Sequence, residues 1–200
     1  MNKFKLTDEK MEWCGRTMYR IVCVTAFASV SAGELGGWVE SEKNLSQCGN
    51  AWVCGNAKVY GDAKVYGDAR VYGDAWVYGN ANVCGNANVC GNAKVYGDAE
   101  VCGNTLVYGD AEVCGDAEVY GNAEVYGNAD YIVLKNNWSS GRYFTYTASN
   151  KMWKVGCFHG TGEELIAKAY KDSELSGKCY EASVRYVEEL ERIKAELTKE

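Results

Sequence analysis

Proline is absent from these 200 residues, and histidine occurs once, at position 159. No stretch approaches the roughly 20 apolar residues of a membrane span, which excludes a spanning helix. The opening Met1-Asn2-Lys3-Phe4-Lys5 lacks the apolar run of a secretory signal, so a cytoplasmic protein without a membrane partner is expected. No Cys-x-x-Cys pair occurs, although ten cysteines are present. Between residues 97 and 130 there is no Lys or Arg, which leaves Asp98, Glu100, Asp110, Glu112, Asp116, Glu118, Glu124 and Asp130 without a basic neighbour in that stretch.

What is present in abundance is one unit, Gly-(Asn/Asp)-Ala-x-Val-(Tyr/Cys), whose 14 glycines stand six residues apart from Gly49 to Gly127. A strict short period over this length specifies a solenoid. Ala and Val lie two apart and share one face of an extended strand, while the variable residue and the Tyr or Cys take the other. Gly followed by Asn or Asp tolerates left-handed backbone and suits a corner after each short strand. Three sides then close a triangular coil of 18 residues. Successive coils stack at about 4.8 Å around an Ala/Val interior.

These units resemble the hexapeptide-repeat, left-handed parallel β-helix family over residues 48–130. Val keeps its place in 13 of 14 units and Ala in 13 of 14, with Thr105 and Tyr131 as the departures. The resemblance implies a left-handed parallel β-helix over 48–130; the strand and helix signals on either side add an N-terminal β cap (1–47) and a C-terminal α+β module (131–200), for a mainly β fold. The family's enzymes are mostly acyltransferases, with nucleotidyltransferase appendages and one class of carbonic anhydrase. Those activities call for histidines on the coils or a loop extruded from them, and neither is present, so no enzyme, metal or cofactor is expected. The run Leu35-Gly36-Gly37-Trp38-Val39-Glu40, with Gly49-Asn50-Ala51-Trp52-Val53 after it, is also similar to hexapeptide-repeat proteins common in phages and gut bacterial mobile elements.

Six cysteines (Cys48, Cys54, Cys84, Cys90, Cys102, Cys114) occupy the slot that Tyr fills elsewhere. Counting by 18 puts Cys84 and Cys102 on the same side of adjacent coils, near enough to bridge. Free thiols are nonetheless expected in a reducing cytoplasm. Outward tyrosines are expected to form exposed walls.

The net charge of -6 is concentrated in the repeats, which carry four basic and eleven acidic residues, against six and six before them and eleven and ten after. Such a surface repels nucleic acid, because phosphates need neutralising. It suits a basic, nucleic-acid-binding host protein instead.

Before the repeats, residues 16–24 are rich in strand formers and residues 32–40 turn into a first irregular coil. After them, residues 131–134, 142–147 and 152–158 read as strands, the last two forming a hairpin around 149–151. Thr161 and Glu164 form a capping box, and a second helix is expected over about 178–197. Ser140 and Arg142, with the His159-Gly160-Thr161 turn at a helix start, form a candidate phosphate site if folding joins them.

Three functions compete on this basis. The first is a non-enzymatic interaction protein, such as a phage-encoded inhibitor of a host nuclease or defence protein. The others are a binder of a small phosphate-bearing ligand and a degenerate acyltransferase. Tyr walls and an amphipathic last helix further predict a homo-oligomer.

Overall fold

The computed structural model describes residues 2–197. Two strands, β1 (Phe4–Trp13) and β2 (Arg16–Cys23), form an antiparallel hairpin, and β3 (Leu35–Val39) pairs antiparallel with β2. Thirteen two-residue strands follow, β4 (Trp52–Val53) to β16 (Glu124–Val125), one for each x-Val pair of the repeat. They stack in parallel as a β-solenoid of about 5 turns.

Each strand lies over the one 18 residues away, as when Asn88 meets Leu106 and Lys58 meets Trp76. The interior follows from the unit: every Ala from Ala51 to Ala123 and every Val from Val53 to Val125 is buried, in one continuous column. Corners form at glycine because the backbone there is left-handed; Gly85, for example, has φ +65. The corner amides also stack, as where Asn80 Nδ2 donates to Asp98 Oδ1 at 2.8 Å and Asn92 Nδ2 to Asp110 Oδ1 at 2.9 Å.

The three walls differ in what covers them. The hairpin wall (β3, β5, β8, β11, β14) continues the sheet of β1 and β2, and the hairpin tip sets Trp13 edge-on against Trp76 at 5.0 Å. Beneath that tip Tyr60 is buried, and Tyr60, Tyr78 and Tyr96 stack with centroids 5.0 and 4.9 Å apart. This part of the tyrosine surface is therefore packing rather than the exposed wall expected from sequence. The cleft wall consists of β6, β9, β12 and β15, and the open wall of β4, β7, β10, β13 and β16.

Both ends of the solenoid are closed by side chains that substitute for a missing coil. At the first coil Trp38 lies opposite Lys58 and Leu45 opposite Val65, a spacing of 20 that falls to 18 at Trp52 and Arg70. The surplus forms a wider corner over residues 46–51. There Gln47 accepts from the Lys3 N–H at 2.9 Å, while Lys3 Nζ donates to Ala51 O at 2.7 Å. Buried Asn44 donates to Gly61 O and Ala63 O, both at 2.9 Å. At the last coil the roles reverse, and side-chain oxygens receive the strand amides. Glu112 N–H donates to Asn128 Oδ1, Glu118 N–H to Thr145 Oγ1 and Glu124 N–H to Ser149 Oγ, at 2.9, 2.9 and 2.7 Å. Unpaired sheet edges invite association, so these contacts satisfy a requirement of any finite solenoid.

The C-terminal part is a four-stranded antiparallel sheet, β17 (Tyr131–Lys135), β18 (Tyr143–Thr147), β19 (Met152–Val155) and β20 (Phe158–Gly160). Two helices cover it, α1 (Gly162–Asp172) and α2 (Glu174–Leu197). Phe144, Tyr146 and Trp153 pack there on Leu165, Ile166, Ala169, Tyr180, Val184 and Val187. Among the described residues no helix is long and apolar enough to cross a membrane.

Two further expectations need correction. Cys84 and Cys102 are joined by a disulfide, with Cα atoms 4.7 Å apart, because the coil register superposes them. The stretch 152–158 is two strands separated by a turn at Gly156, which has φ +54. Strand β1 is an addition that the sequence reading lacked.

Thr105 stands where the repeat has Ala; it is fully buried, and its hydroxyl has no hydrogen-bond partner. An orphaned buried hydroxyl costs about 1–3 kcal/mol, so Thr105→Val, which keeps the shape and removes the hydroxyl, should stabilise the fold by about 1 kcal/mol. Calorimetry should show a melting temperature raised by about 2–4 °C; an unchanged or lower value would refute the assignment.

Candidate functional site

Each six-residue unit turns the chain by one wall, so residues adjacent in sequence diverge in space. The eight acids of residues 98–130 do not make one surface. Glu112 lies on the hairpin wall, where Lys94 pairs with it at 2.6 Å. That bond, together with the Lys94 charge, holds its carboxyl below the usual range. Asp110 accepts from Asn92, and Asp130 accepts the N–H groups of Tyr126 and Gly127, both at 2.8 Å, as the cap of a turn. Glu124 is exposed on the open wall.

The remaining four converge. Glu100 (β12) and Glu118 (β15) are register partners on the cleft wall, and Asp98 and Asp116 are the corner residues just before them. Together with Arg142, Tyr143 and Gly156 from the C-terminal sheet they line a cleft of about 320 Å³. Strand stacking holds like charges one coil apart, a repulsive arrangement that persists only because the solenoid backbone dictates it.

Partial compensation comes from above. Lys154 of β19 reaches Glu118 at 3.3 Å and lies 4.5 Å over the Tyr120 ring; its ammonium also donates to Gly156 O. Tyr120 OH donates to Glu100 Oε2. Burial and this bond to a carboxylate raise the Tyr120 pKa well above the ordinary value, so the phenol keeps its proton throughout the neutral range. Arg142 forms no ion pair within 4.0 Å among the described residues. Four carboxylates thus face one paired lysine and one unpaired guanidinium.

The residues proposed for a phosphate site are not assembled. Arg142 lies in the acidic cleft, against Gly156. His159 is opposite Lys154 in the β19–β20 pairing and sits over the Gly121 corner of the last coil. Thr161 N–H donates to Glu164 Oε2 at 2.8 Å, and Glu164 N–H to Thr161 Oγ1 at 3.3 Å. The Thr161 N–H and hydroxyl, both donating to Glu164 Oε2, draw the Glu164 pKa down, so the helix start already holds a carboxylate of its own chain. Gly160 sits beneath that same carboxylate, and the Ser140 hydroxyl accepts weakly from Arg142 N–H at 3.4 Å. Among the described residues no three His, Cys, Asp or Glu side chains converge in metal-holding geometry.

What sequence reasoning missed is Lys154, together with Tyr120 and Tyr143: their roles depend on the sheet folding back over the cleft wall, which no local pattern announces. Among curated proteins none matches the chain. Residues 63–79, about one coil, match the family model described as YdcK Beta solenoid repeat, so the repeats seen in sequence and structure are those of a β-solenoid.

Proposed function

We propose that this is a non-enzymatic interaction protein that uses the acidic cleft to receive basic side chains of a partner protein. The observation that supports the reading is the stacking of Asp98, Glu100, Asp116 and Glu118 on adjacent coils beside a cleft of about 320 Å³. Ground-state repulsion among them is relieved by any added cation, and a Lys or Arg side chain brings its charge with hydrogen-bond donors. The rigid solenoid fixes the geometry in advance, so little ordering is needed on binding. A basic nucleic-acid-binding protein, such as a host nuclease or defence factor, has the charge that fits.

The test uses a lysine-rich peptide as probe, followed by pull-down from a bacterial lysate. Glu100→Gln with Glu118→Gln removes two cleft charges on outward strand positions and should weaken peptide binding about tenfold or more at low salt. Glu112→Gln with Glu124→Gln changes charge equally on the other walls and should have little effect. Raising salt to about 0.5 M should abolish the difference, since exposed charges are then strongly screened. Equal loss in both pairs would reduce the cleft to general acidity and sink the reading.

A further inference from the structure

The three walls of the prism are unequally covered. The N-terminal hairpin lies on one and the C-terminal sheet overhangs the second. On the open wall Phe27 packs edge-on against Trp52 in the lowest row, and Ser29 of the same segment reaches Arg70 in the next. Above Trp52 stand four rows, carrying Arg70, Asn88, Leu106 and Glu124 in one column and Tyr72, Cys90, Tyr108 and Tyr126 in the next. Tyr72 and Tyr126 are 37% and 62% exposed, high values for tyrosines on a sheet face.

The column is charged at its ends and uncharged between. Arg70 bonds only the exposed Ser29 hydroxyl, and neither Arg70 nor Glu124 forms an ion pair among the described residues. Three coil steps separate them, about 14 Å at the sheet spacing. A surface with a cation at one end, an anion at the other and uncharged residues between is complementary to itself when inverted.

We infer that the open wall is the interface of an antiparallel homodimer. The two-fold axis runs along the strands between the rows of Asn88 and Leu106. This operation keeps each column over its own kind and reverses the order of rows. Arg70 then faces Glu124 of the second copy, Tyr72 faces its Tyr126, Asn88 faces its Leu106, and Cys90 faces its Tyr108. Every contact occurs twice, as an isologous interface requires. A parallel arrangement would instead set Arg70 near Arg70 and Glu124 near Glu124, which like-charge repulsion disfavours. Four rows about 4.8 Å apart and about 17 Å wide give roughly 330 Å² per copy. This is less than half of the roughly 800 Å² per partner in stable complexes, so association is dynamic and concentration-dependent.

Sedimentation velocity on the intact chain, from about 1 µM to about 200 µM at low salt, reads this directly. The expected result is a shift from a 22.0 kDa monomer to a species of twice that mass. Arg70→Glu and Glu124→Arg each create two like-charge contacts and should each raise the dissociation constant about tenfold or more. The double variant R70E/E124R restores opposite charges at both sites and should return to within about threefold of the parent. Both positions lie on the outer face of their strands, and circular dichroism checks that the solenoid persists. A monomer at every concentration, a trimer, single variants that dimerise normally, or a double variant without recovery would each overturn the inference.

Discussion

Gly85→Ala should destabilise the protein by about 3 kcal/mol or more, while Gly115→Ala should cost only about 1–2 kcal/mol. Both glycines have a left-handed backbone, with φ +65 and +64, so both substitutions incur the left-handed penalty of an L-residue. They differ in what lies above. A Cβ on Gly85 would meet Gly103 N at 2.8 Å and Gly103 O at 3.0 Å, whereas one on Gly115 meets nothing within 4 Å. Backbone cannot rotate aside as a side chain can, so the Gly85 variant must separate two coils. Chemical denaturation of the two variants in parallel measures the difference; equal losses would show that stacking at the corners does not depend on the missing side chain.

Asn44→Ala should cost about 3 kcal/mol, for a different reason. The side chain is buried, donates to two carbonyls of the coil above, and accepts the Ser41 N–H at 2.9 Å. Truncation orphans all three groups, and each orphan carries a desolvation penalty of about 1 kcal/mol or more. Lys3→Met at the neighbouring corner should be milder at neutral pH, because it removes a buried charge along with its bonds. Burial lowers the Lys3 pKa from 10.5 to about 8, against smaller opposing effects of Cys48, Cys23 and Asp68. Between these values the unfolded chain binds the proton and the folded chain does not, so this residue's contribution to stability rises with pH. The stability difference between parent and Lys3→Met should therefore move in the parent's favour from pH 8 to 10.5. A difference that stays flat across this window would show that Lys3 is not desolvated.

The sequence made the coil legible because one physical rule recurs with each unit: small and branched residues inward, Gly at the corner. Residues that act once are harder to see. Lys3 and Asn44 look like ordinary polar residues until the first coils leave their carbonyls facing them. The start of α2 is a second case. The sequence places the second helix from about 178, yet α2 already starts at Glu174, and a Cβ on Gly177 would fall 2.2 Å from Tyr170 Cδ1, so the glycine serves the close approach of α1 and α2. The acidic stretch is visible as composition, and the 18-residue period itself sets Glu100 and Glu118 on a wall apart from Glu112 and Glu124. That the first pair would lie beneath Arg142 and Lys154 depended on how the C-terminal sheet docks, which periodicity does not encode.

The uniform unit has a consequence for how such a chain can change length. Near-identical repeats are prone to gain or loss by unequal recombination, and each such event acts on the solenoid as a screw. One unit added after Glu118 advances the C-terminal sheet by about 1.6 Å and rotates it by about 120°, which carries it off Glu100 and Glu118 onto another wall. Three added units advance it by about 4.8 Å with no rotation, leaving whatever acids the new top coil bears beneath the same Lys154. Copy number thus acts as a dial with three positions per turn, and among chains of this design only lengths differing by whole turns should keep the hairpin and the C-terminal sheet on the same pair of walls.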